Sequence, residues 1–116
     1  MHRNKLFLLA LIIIVMTAYL TLAINAPLSK HIPKSEVETA INQARHLYQN
    51  RIDSGEDLSK GPCLSDALMP GWVLDIAHNP RIAIDDLSEN QCPSFREGKS
   101  VHFVELDSKG NLIRAQ

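Results

Sequence analysis

The sequence is short of the features that announce a chemistry. Its five glycines form no run that could cradle a phosphate. Nucleophilic catalysis needs an activated serine or cysteine, and no serine here stands in a G-x-S-x-G setting. The two cysteines, Cys63 and Cys92, lack the C-x-x-C spacing that makes a zinc reading strong. Asp85, Asp86 and Glu89 lack the D-x-[DN]-x-[DN]-G spacing of a calcium loop. They read as a solvated acidic loop, with a weak calcium site as the functional alternative. No cysteine follows the apolar run near the start, so a lipid anchor is unsupported. No cofactor and no enzymatic activity are expected.

Charge of one sign is also missing from part of the chain. All thirteen acids follow residue 34, while Arg3, Lys5, Lys30 and Lys34 precede or occupy that point. The remainder is therefore acidic, which argues against a nucleic acid partner, because phosphate binding needs a net basic face.

What is present begins with "LFLLALIIIVMTAYLTLAI", residues 6–24, without a charge. A helix of that length covers roughly 28 Å, about the hydrocarbon thickness of a bilayer. Arg3 and Lys5 precede it, which favours a cytoplasmic start and an extracytoplasmic remainder. The run exceeds the usual signal-peptide core, so residues 1–26 read as an uncleaved signal anchor. Cleavage, giving a secreted protein, is the alternative. Residues 27–34 contain Pro27 and Pro33 and read as a linker.

Residues 35–116 read as one small α+β domain. "SEVETAINQARHLYQNRIDSG" places Val37, Ile41, Ala44, Tyr48 and Ile52 on one stripe, predicting an amphipathic helix over 35–53. Ser35 and Glu38 fit a capping box. "GWVLDIAHNPR" has strand-like length and composition and is closed by Asn79-Pro80. Residues 101–106 and 112–115 flank a turn and predict a hairpin. The helix would pack on a small antiparallel sheet of about three strands. In an oxidising compartment Cys63 and Cys92 read as one disulfide closing a loop of about 30 residues, worth roughly 3–4 kcal/mol. A metal site and two free thiols remain open as alternatives.

The candidate polar residues are Asp75, His78, His102 and Glu105. Each pair is spaced by three, which splits it across the two faces of a strand. A metal or catalytic centre would require His78, His102 and Asp75 to converge. Trp72, the only tryptophan, reads as a core anchor.

The blocks "GPCLSDALMPGWVLDIAHNPR", "ENQC" and "HFVELDSKGNLIRA" resemble a group of short bacterial proteins of unknown function with one N-terminal apolar segment. That resemblance implies a domain of its own from Gly61 onward and brings no activity. The layout of apolar helix, amphipathic helix, small sheet and cysteine loop is also similar to that of type IV pilins. The pilin processing site and the glutamate near the apolar segment's start are absent from "MHRNKLFLLALIII", and Pro27 and Pro33 interrupt the helix. The expected role is a membrane-anchored binding or structural module with an unidentified protein partner. A small enzyme or metal-binding domain and a filament subunit are the other readings.

Overall fold

The computed structural model describes residues 1–25 and 31–116. It divides into two compact units, Met1–His31 and Ile32–Gln116. Pro27, expected to interrupt the chain, lies outside the described residues.

The first unit contains helix α1, His2–Ile24. Its 23 residues reach a mean hydropathy of 2.7 in the most apolar window and bury nothing within the protein. At 1.5 Å per residue it is roughly 34 Å long, enough to cross a bilayer. Its two threonine hydroxyls are satisfied from within. The Thr17 hydroxyl donates to the Ile13 carbonyl at 2.9 Å, and that of Thr21 donates to Thr17 at 2.8 Å. Hydroxyls bonded in this way avoid the cost of an unpaired polar group in apolar surroundings.

The second unit is α+β. Helix α2 spans Lys34–Asp53, and strand β1 (Cys63–Met69) leads into β2 (Trp72–Ile76). Two short 3-10 turns, Ala83–Asp86 and Ser88–Asn90, and a one-turn helix α3 (Pro93–Arg96) follow. Strands β3 (His102–Leu106) and β4 (Leu112–Ala115) complete it. The sheet has four strands in the order β1-β2-β3-β4. Its outer pairs are antiparallel and its central pair, β2 with β3, is parallel.

Two expectations are thereby corrected. "CLSDALM" is too irregular to read as a strand alone, yet it pairs with β2 through a bulged register. The sheet is mixed because a parallel pair needs a crossover connection of a dozen or more residues. Residues 77–101 supply one, and their short turns return the chain to lie beside β2 as β3.

Strand alternation decides which side chains meet the helix. Trp72, Leu74 and Ile76 of β2, with Val104 and Leu106 of β3, form one buried cluster with Ala40, Ala44, Leu58 and Leu64. Fully burying each large aliphatic side chain contributes roughly 1.5–3 kcal/mol. Ala40 and Ala44, four apart, are completely buried, and their small side chains let α2 lie close to the sheet. Val37, Ile41, Leu47 and Tyr48 pack around this contact, whereas Ile52 is left largely exposed. Trp72 is the anchor its composition suggests, and its indole N–H donates to Glu36 Oε1 at 2.9 Å.

The capping box does not form. Pro33 occupies the N-cap, and its carbonyl accepts from the amides of Glu36 and Val37. Ser35 therefore lies inside the first turn, where its carbonyl accepts from the Thr39 hydroxyl. At the other end of the fold, the Tyr48 hydroxyl donates to Ser108 O at 2.9 Å. Its ring covers Gly110, whose φ is +84° and where an added Cβ would stand 2.5 Å from the ring. This contact fastens the β3–β4 turn to α2.

The second sheet face carries a smaller cluster of Val73, Cys92 and Phe103, with Cys63 against it. The sulfur atoms of Cys63 and Cys92 are 2.09 Å apart, at disulfide distance. Cys92 and the Phe95 ring of α3, which meets Phe103, cover part of this face.

Candidate functional site

The parallel register of β2 and β3 sets Val73 beside Phe103 and Asp75 beside Glu105. By strand alternation all four face away from α2. Two carboxyl groups thus occupy neighbouring positions on a partly covered face. Burial first, and then the neighbouring Glu105 charge, push Asp75 up to about 7, while Arg81 pulls the other way. Among the described residues Asp75 Oδ1 is buried without a hydrogen-bond partner. Glu105 is itself buried but well held. Its Oε2 accepts from Arg81 Nη1 at 3.1 Å and lies 3.6 Å from Arg114 Nη2.

A cavity of about 120 Å³ opens onto this pair. Asp75, Glu105, Gln91, Phe95, Phe103 and three arginines, Arg81, Arg96 and Arg114, are among its lining residues. Phe95 meets Phe103 edge-on with ring centres 5.1 Å apart, and the Arg114 guanidinium sits 4.8 Å over the Phe103 ring. Phe95 is placed by α3, which Asp66 of β1 fixes. The Asp66 carboxylate accepts from the Ser94 amide at 2.8 Å and from its hydroxyl at 2.5 Å.

The arginines differ in what they have left to offer. Arg81 donates to Asp86, to Glu105 and to the Asp85 carbonyl, so much of its fork is used. Arg96 makes one long contact to the Ser88 carbonyl at 3.4 Å. Arg114 donates no hydrogen bond among the described residues. A guanidinium has five donors, so both retain N–H groups for another acceptor.

Asp75 and His78 are not partners. His78 lies beyond the end of β2 at the rim of the fold, half-buried. Its Nδ1 lies 2.8 Å from Asp85 Oδ1, the geometry of an Nδ1–H donated to the carboxylate. Asp85 also accepts from the amides of His78 at 3.1 Å and Ile82 at 2.9 Å. Its exposure is 1%, which corrects the reading of 85–89 as wholly solvated; Asp86 and Glu89 are exposed. Burial raises the Asp85 pKa, but the bonds from Ile82 and His78 outweigh it and the net shift is downward. Gly61 permits this packing. Its φ is +68°, and an added Cβ would stand 2.6 Å from Asp85 Oδ1 and 3.0 Å from the Ile76 carbonyl.

His102 faces the opposite way from Glu105, as spacing on a strand requires. Its ring lies against Trp72, with centroids 4.9 Å apart. His78, His102 and Asp75 therefore do not converge on one point. Cys63, Asp66 and Cys92 bring possible ligand atoms within 4.8 Å of one another, but the sulfurs are at bonding distance and offer no thiolate pair. The arginines were not singled out from the sequence. The available signal was parity, since Phe103 and Glu105 share a strand face, but only the parallel pairing brings that face to Asp75. Comparison with protein-family models, curated proteins and solved structures gives no match to this chain.

Proposed function

We propose that this protein is a single-pass membrane-anchored module whose α+β domain lies outside the cytoplasm and binds a ligand or partner through the outer-face pocket. The observation that carries the binding role is the unpartnered Asp75 oxygen beside a cavity whose rim holds underused arginines. A buried polar atom without a partner costs about 1–3 kcal/mol, and such sites mark function more often than scaffolding does. The placement is supported by α1, by Arg3 and Lys5 before its apolar stretch, and by two cysteines at disulfide distance. Signal-anchor behaviour of residues 1–26 belongs to the same reading.

The test is membrane fractionation followed by protease treatment of spheroplasts. Expected is a full-length chain in the membrane fraction whose C-terminal epitope is removed without lysis. A C-terminal epitope protected until lysis would reject the placement.

A second reading is an acid–base enzyme. Asp75, raised to about 7, is a carboxyl that can take up or release a proton near neutral pH, and it lies beside Glu105, which accepts from Arg81. A turnover that follows Asp75 ionisation would favour this reading over simple binding.

A further inference from the structure

The chemistry of the pocket specifies more than the presence of a ligand. Three observations on the outer face are independent of one another. Arg96 and Arg114 hold unused donors at the rim, Asp75 Oδ1 lacks a donor, and Phe95 with Phe103 forms an apolar wall between them. Planar guanidinium donors suit a carboxylate. An unpartnered carboxyl oxygen suits an N–H group. The volume of about 120 Å³ is below the several hundred Å³ of a drug-sized site. It suits a small ligand rather than a drug-sized one.

We propose that the pocket binds an α-amino carboxylate with a small apolar side chain, its carboxylate on Arg96 and Arg114, its nitrogen on Asp75 and its side chain against Phe95 and Phe103. A free amino acid and the C-terminal residue of a peptide share this chemistry, a carboxylate one carbon from an N–H donor. The proposal rests on the pocket being a binding site and adds what it takes. Ligand pairing would complete the hydrogen bonding that the fold leaves open at Asp75.

Chemical-shift titration of the full chain in detergent micelles tests this. The probes are L-alanine, trialanine, trialanine amide, propionate and inorganic phosphate. Expected are saturable shifts around Val73, Phe95 and Phe103 with alanine or trialanine, saturating at millimolar concentrations or below. Amidating the carboxylate should weaken binding at least about tenfold, and so should Arg114→Gln and Arg96→Gln. Propionate, which lacks the nitrogen, should bind more weakly than alanine to the native protein and equally to both Asp75→Asn and the native protein. Alanine binding more tightly than trialanine identifies a free amino acid; the reverse identifies a chain end. Phosphate saturating the pocket where alanine does not would overturn the ligand class and leave the binding site standing. No saturation by any probe below about 10 mM would overturn both.

Discussion

Replacing Asp75 with asparagine probes the outer face through stability. Asp75 titrates near 3.8 when unfolded and near 7 in the folded domain. Between those values the folded state binds more protons than the unfolded state. Native stability therefore falls as pH rises from about 4 through 7 and levels off above. Asparagine has nearly the same shape and carries no charge to desolvate. At about 1.4 kcal/mol per pH unit, the full displacement would amount to roughly 4 kcal/mol. Partial exposure and relaxation around the site reduce that to about 1–2 kcal/mol. The charged groups facing Asp75 are Glu105 on β3, Arg114 on β4, Arg96 on α3, and Arg81 and Asp85 in the crossover. They act on the Asp75 charge, which asparagine lacks, so their effect is part of the difference between the two proteins. For a domain of this size Asp75→Asn should raise Tm by roughly 5–15 °C at pH 8 and by less than about half as much at pH 5. Thermal unfolding followed by circular dichroism in micelles measures it. An equal Tm difference at both pH values, or a loss of stability at pH 8, would refute the reasoning.

Other substitutions test other parts of the fold. Asp85→Ala strands two backbone amides and the His78 ring, and should cost about 3 kcal/mol in denaturant unfolding at pH 7. Because the Asp85 pKa is lowered on folding, its contribution is present above the ordinary carboxylate range and is lost as pH falls below about 4; the mutant and native stability curves should converge there. Gly61→Ala adds a Cβ against Asp85 and Ile76 at a positive φ, and should lower Tm and broaden the amide signals of residues 76–85. Replacing Cys63 and Cys92 with alanine opens a loop with a sequence separation of 29 and should cost roughly 3 kcal/mol, read from the urea midpoint.

The elements with strong local signals were legible from residues alone. The stripe from Val37 to Tyr48 gave α2 to within one residue at its start, and the turn chemistry of Asp107–Asn111 gave the last hairpin. Asp107 accepts from the amides of Lys109 and Asn111 and from the Asn111 side chain, which closes that turn. Alternation in "WVLDI" correctly separated Asp75 from the Trp72 face. The fourth strand and the parallel pairing were not legible, because residues 63–69 bulge twice and a crossover carries no local mark of direction. The site shared that limit. Asp75 and Glu105 become neighbours only through the β2–β3 register, and Arg81, Arg96 and Arg114 come from three separate elements. The Asp85–His78 pair was hidden for a related reason. Its acid sits in a run of charges that reads as wet, while the turn folds it against the amides of His78 and Ile82.

The thiol state of Cys63 and Cys92 in intact cells tests whether the anchored domain lies outside the cytoplasm. Cells are quenched in acid, and the denatured protein is treated with a maleimide that adds mass to each free thiol. No adduct is expected before reduction and two are expected afterwards. Two adducts without reduction would contradict both the bridge between Cys63 and Cys92 and the extracytoplasmic placement.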